Sequence, residues 1–270
     1  MPAVQLIQLN QQINALVAYF AEPNRFRSEL ESLLIRYADL TYKPGDAVKR
    51  SSLSTTSYRT APIVLRKLEQ RMAGLAAFNP DLTLGVADTL WATDQTETRQ
   101  LAAVLIGNLP QAYSGEVLAR LQAWTVPGVE FSHLQTLFQQ GSSQLRQAEP
   151  QKWLNLIRTW LNSSDRGMVR LGTLAITSMA ADRDYDNLPA IFNAISPVLG
   201  AAPEDLQHEL RQLLTQLARR SPTETGYFLR QVMGLYPTRT LARLVRRVLP
   251  EFPEEIQVRL RSTLLAHSWD

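Results

Sequence analysis

TLWATDQTETRQLAAVLI, residues 89–106, returns about 70 residues later as TWLNSSDRGMVRLGTLAI, residues 159–176. In both stretches a Trp (Trp91, Trp160) ends one helical pattern and a polar turn follows, with Asp94 or Ser164 as the cap. A second helical pattern then opens with an Arg (Arg99, Arg170) before small and branched apolar residues. Two copies at that separation predict a unit of roughly 35 residues, the period of helical-hairpin solenoids. The expected fold is therefore an all-α superhelix of stacked helix pairs. Function is expected on the surface those pairs make, not in a loop-built pocket.

Working outward, nearly every segment reads as helix. Prolines punctuate the chain where a first helical turn tolerates them, among them Pro23, Pro62, Pro80, Pro150, Pro222 and Pro253. The pattern predicts helices over 81–92, 95–108, 129–139, 165–180, 203–220 and 237–249, with others from 3–20 to 253–266. No stretch alternates with period two, so no sheet is expected. The chain reads as one repeat domain over 1–270, with N-terminal helices and a basic loop in 1–58, repeats in 59–233 and C-terminal helices in 234–270. Two stretches lack periodicity: TYKPGDAVKRSSLSTTSY (41–58) and QGSSQLRQAE (140–149), the second a place where two lobes could part.

Composition excludes several classes of function. The chain has no Cys, so it has no disulfide framework and no thiolate metal site. Its three histidines, His133, His208 and His267, are far apart in sequence, which leaves little for a zinc centre. Residues 1–20 carry no charge but lack the basic start and cleavage site of a signal peptide, and read as an end helix. No apolar run reaches membrane-spanning length. A cytoplasmic monomer without cofactor or metal is expected. There is no glycine-rich phosphate loop, nucleophile elbow or HExxH. Asp182, Asp184 and Asp186 copy half of a calcium loop, but Asn187 and Asn193 stand where Gly and Glu are required. Trp91, Trp153 and Trp160 fall at core positions.

The net charge is only +3, yet the bases cluster. Four of the 28 are lysines (Lys43, Lys49, Lys67, Lys152), and the rest are arginines. Arginine forks suit phosphate oxygens, although a GC-rich genome also favours Arg. Residues 211–247 hold eight arginines against Glu224 alone, whereas 81–98 hold four acids and no base. In PTRTLARLVRRVL (237–249), Arg239, Arg243, Arg246 and Arg247 share an arc of about 100° opposite the apolar residues. That ridge fits phosphate contacts, or equally a solvated outer face. Arg219 and Arg220 close the preceding helix pair, where a favourable helix C-terminus also explains them. The loop bases Lys43, Lys49, Arg50 and Arg59, interleaved with hydroxyls, form a second candidate for phosphate contact, or equally a flexible solvated loop.

LWATDQTETRQLAAVLIG resembles the AlkD-like family of DNA alkylation-repair proteins, built from HEAT-like repeats. The likeness rests on Leu90, Trp91, Glu97, Arg99 and Ala102, and extends weakly from about Tyr58 to about Met233. It implies a DNA-binding solenoid with a basic concave groove. Catalytic members are alkylpurine glycosylases that use a Trp-x-x-x-Asp helix, a second groove Trp and an Arg on a neighbouring helix. By position these fall on Phe131 and Gln135, on about Gln212, and on Arg170. A neutral amide at Gln135 cannot supply the negative charge that helps a cationic purine depart. Glu130 lies nearby but one residue before Phe131, on a different side of the helix. The resemblance thus implies duplex DNA as partner, held at its phosphates, with the glycosylase chemistry lost. A protein-interaction scaffold is the alternative, favoured by the acidic run and the missing carboxylate. An active glycosylase ranks last.

Overall fold

The computed structural model describes residues 5–38, 57–126 and 128–266. Among them the regular elements are helices and no strand forms; an isolated β-bridge pairs Ala38 with Thr60. The fold class is an all-α helical-repeat solenoid, and the chain divides into two compact units, Met1–Glu149 and Pro150–Asp270.

The first unit contains α1 (Leu6–Val17), α2 (Pro23–Arg36), α3 (Pro62–Phe78), α4 (Pro80–Trp91), α5 (Thr96–Gly107) and α6 (Ser114–Trp124). A short α7 (Phe131–Thr136), a π turn (Leu137–Gly141) and α8 (Ser143–Ala148) complete it. Helices α1, α3, α5 and α7 stack as one layer; α2, α4 and α6 form the other, where Trp91 and Trp124 lie parallel at 4.7 Å. The second unit contains α9 (Pro150–Leu161), α10 (Arg166–Ala181), α11 (Leu188–Ala201), α12 (Gln207–Arg220), α13 (Pro222–Leu235), α14 (Arg239–Val248) and α15 (Glu254–Ala266). Here α10, α12 and α14 form one layer, and α9, α11, α13 and α15 the other.

The repeat is real, but its register corrects the sequence reading. α4 and α9 each open on a proline and span twelve residues, 70 positions apart, and α5 and α10 begin 70 apart. The N-caps are Gln95 and Asp165, each one residue later than expected. Asp165 accepts from the Gly167 amide at 2.8 Å, whereas Asp94 turns to Arg99 at 3.1 Å. In this register Trp91 matches Leu161, and Trp160 matches Leu90. Arg99 then matches Val169, while Arg170 matches Gln100, so the two arginines are not equivalents. Their surroundings agree: the Arg99 side chain is 14% exposed and that of Arg170 44%.

Residues 140–149 are largely helical: the π turn runs to Gly141, and α8 covers Ser143–Ala148. The π turn inserts an extra residue and breaks the 3.6-residue period, so no helix was legible there. It packs on the end of α5, where a Cβ on Gly107 would come 1.8 Å from the Gln140 carbonyl oxygen. Glycine is required by that approach. Ser143 seals the contact by donating to the Gly107 carbonyl at 2.7 Å.

Glu97 has a structural task. It is 3% exposed and accepts hydrogen bonds from Ser57 Oγ at 2.7 Å and from the amides of Tyr58 and Thr60 at 3.1 and 3.3 Å. Three donors satisfy a carboxylate that would be costly to bury alone. They anchor the residues leading into α3, beside Arg59, whose backbone is left-handed at φ 55°. Burial, reinforced by Glu31 and Glu97, raises the Tyr58 phenol above its ordinary range. The predicted loop bases Lys43, Lys49 and Arg50 lie outside the described residues.

Candidate functional site

In α14 the charge pattern and the packing agree. Leu241, Ala242, Leu244, Val245 and Val248 are buried, while Arg239, Arg243, Arg246 and Arg247 are exposed. The hydroxyl of Thr238 caps the helix by accepting from the Leu241 amide at 3.3 Å. On the adjoining helix α12 the exposed positions are His208, Arg211, Gln212, Gln216 and Arg219. Arg211 was missed by sequence reasoning, although its spacing from His208, Gln212 and Arg219 places it on their face. Helix α10 is mostly buried and contributes the exposed Arg166 and Arg170.

Ion pairs stitch this layer together. Arg170 Nε lies 3.0 Å from Glu209 Oε1, and its Nη2 donates to the Asp205 carbonyl at 2.6 Å. Arg166 pairs with Asp205 at 3.2 Å, Arg243 with Glu204 at 3.3 Å, and Arg219 with Glu251 at 3.0 Å. The pairs of Arg166, Arg243 and Arg219 are partly exposed and worth about 0–1 kcal/mol each, so an incoming anion can compete with those acids, whereas Glu209, the partner of Arg170, is buried. The pairs nevertheless set an acid against four arginines of this layer, Arg166, Arg170, Arg219 and Arg243. Arg211, Arg246 and Arg247 have no ion-pair partner among the described residues.

Arg220 does not join this face in the same way. Its Nη1 donates to the carbonyls of Met179, Ala180 and Asp182 at 3.4, 3.2 and 2.6 Å, and its Nη2 to that of Tyr185. The guanidinium thereby caps the C-terminal end of α10 and closes the turn holding Asp182 and Asp184. Arg220 is expected from sequence among the phosphate contacts, but four carbonyls occupy its fork. Gln212 is exposed and donates to His208 Nε2 at 3.0 Å.

The other motif positions lie in the first unit. Phe131, 38% exposed, and Gln135 share the outward face of α7, with His133 and Leu134 buried behind them. Glu130 is the N-cap residue of α7 and accepts from Ser132 Oγ at 3.2 Å. Among the described residues no cluster of three His, Cys, Asp or Glu could hold a metal, and no helix is long and apolar enough to cross a membrane.

An all-α repeat protein with an arginine-faced layer is the class that these features define. Residues 64–248 match the family model described as DNA alkylation repair enzyme, and the chain belongs to that family. The matched segment runs from α3 to the last residue of α14, and ties the chain to a DNA-repair-related function. No curated protein and no solved structure matches the chain.

Proposed function

We propose that the protein is a DNA-binding, HEAT-like member of its family that grips the duplex phosphate backbone through the α10–α12–α14 layer and has lost glycosylase chemistry. The observation that carries this reading is the α14 ridge. From Arg239 to Arg247 it rises about 12 Å at 1.5 Å per residue. Over that length one strand of a duplex presents about three to four phosphates, one per 3.4 Å. Four guanidiniums held apart on a rigid helix suit such a row, and their mutual repulsion is relieved when anions sit between them. Arg211 and Arg219 extend the same face. The stitched arginines, Arg170 among them, hold fixed orientations that suit positioning a backbone.

The salt dependence of binding tests the mode. Three unpaired arginines predict a slope of about −3 for log affinity against log salt, steepening by about 0.9 for each stitched arginine that changes partner. Replacing Arg246 and Arg247 by Gln should bring the slope to about −1. A salt-independent affinity would reject backbone binding.

Loss of the chemistry follows from Gln135. An amide cannot stabilise developing positive charge on the sugar, and Glu130 is engaged at the helix cap. Incubation with duplex containing 7-methylguanine should release no free base above that of a heat-killed control. Release that disappears in a Glu130→Gln variant would restore the enzyme and identify its acid. The second reading, a protein-interaction scaffold, gains support from the stitching acids, which reduce the net charge of the face. Duplex DNA that fails to bind at low salt would favour it.

A further inference from the structure

α7 spans six residues, less than two turns, and a helix so short keeps its place through its packing. Leu134 supplies an apolar part of that packing, and His133, 2% exposed, the polar part. Nδ1 of His133 lies 3.0 Å from Nη1 of Arg99, and Nε2 lies 3.2 Å from Oγ1 of Thr96. A guanidinium can only donate, so Nδ1 is the acceptor and the ring proton belongs on Nε2, facing Thr96. The imidazole is therefore neutral in this arrangement.

Arg99 is fixed in turn. Its Nε donates to the Trp91 carbonyl at 3.3 Å, its Nη1 meets Asp94 at 3.1 Å, and its guanidinium lies 5.3 Å from the Trp91 ring centroid. Trp91 stacks on Trp124. The hold on α7 thus runs through α5 and α4 to α6.

We propose that His133 is a positioning residue. When neutral it clasps α7 to α5 through Arg99, and on taking up a proton it lets go, so the outward face of Phe131 and Gln135 stays in place only while the ring is unprotonated. An imidazolium offers Arg99 no acceptor and sets two cations 3.0 Å apart. The groups around the ring pull in both directions. Glu130 at the start of α7, Asp94 in the turn before α5, and Glu97 on α5 favour the proton. Burial, then the charge of Arg99, disfavours it and prevails, so His133 titrates below the usual histidine range. An opened α7 therefore binds more protons than a closed one as pH falls below about 6.5, and the closed state loses stability in that direction. This inference does not depend on the nucleic-acid reading.

Amide hydrogen exchange on the full chain, corrected for intrinsic exchange rates, tests it. Between about pH 7 and about pH 5.5 the opening equilibrium of α7 should rise, by at most tenfold per pH unit, while α12 and α14 keep their protection. His133→Asn retains an acceptor near Nδ1 but takes up no proton, and should hold α7 closed with a flat pH profile. His133→Ala should leave α7 open at both values. Unchanged α7 protection in the unsubstituted protein, or the same pH response in His133→Asn, would overturn the proposal. Should the variants not fold, ¹⁵N shifts of the native histidine decide. An Nε2–H ring at neutral pH is expected, and an Nδ1–H or cationic ring there would also overturn it.

Discussion

Duplex affinity is expected to fall by about 100- to 1,000-fold when Arg246 and Arg247 are both changed to Glu. Each reversal removes a phosphate contact and adds a like charge, and every 1.4 kcal/mol so lost is tenfold in affinity. Both side chains are exposed, whereas Val245 and Val248 beside them are buried, so folding should be unaffected. A control carrying the same change in net charge, Arg25→Glu with Arg36→Glu on α2, separates the ridge from the overall field. Equal losses in the two variants would mean that net charge, not the ridge, governs binding. Fluorescence anisotropy with undamaged duplex at fixed salt measures both.

The largest stability effect is expected at Arg220. Changing it to Met keeps much of the apolar stem but leaves the carbonyls of Met179, Ala180, Asp182 and Tyr185 without this donor. Hydrogen bonds to charged groups contribute about 1.5–3 kcal/mol each, and water reaches part of this site, so about 3 kcal/mol in total is a reasonable loss. For a unit of this size that lowers Tm by roughly 10 °C. Arg220→Lys should recover little, because an ammonium is a compact donor and cannot reproduce a fork that spans both ends of the turn. Full recovery by Lys in thermal melts would show that charge alone suffices. DNA affinity, measured well below the melting point, should change far less than in the α14 variant.

Much of the fold was legible because its cues are local. Prolines at first turns and leucines at helical spacing give boundaries close to those found, and Trp91, Trp153 and Trp160 are core residues as expected. The π turn was not legible, since one extra residue destroys the periodicity on which such reading depends. The exposed arginines of α14 were legible for the same reason as its core: one helix carries both faces. What each arginine touches was not, because the partners are distant in sequence. Arg170 meets Glu209, Arg243 meets Glu204, and Arg220 reaches back to Met179. A single sequence without a fold cannot tell an arginine that awaits a ligand from one that already holds a carbonyl. His133 shows the same limit: read as an isolated histidine, it is the polar anchor of a short helix.

The 70-position correspondence between α4–α5 and α9–α10 has an evolutionary consequence. What recurs there is the spacing of prolines and apolar residues, while the charges differ: Gln100 stands where Arg170 does, and Arg99 where Val169 does. Such an architecture leaves its outward positions uncommitted. A single codon change at one of them can gain or abolish a chemical role while the helices beneath keep their places, so descendants sharing one shape can diverge in activity.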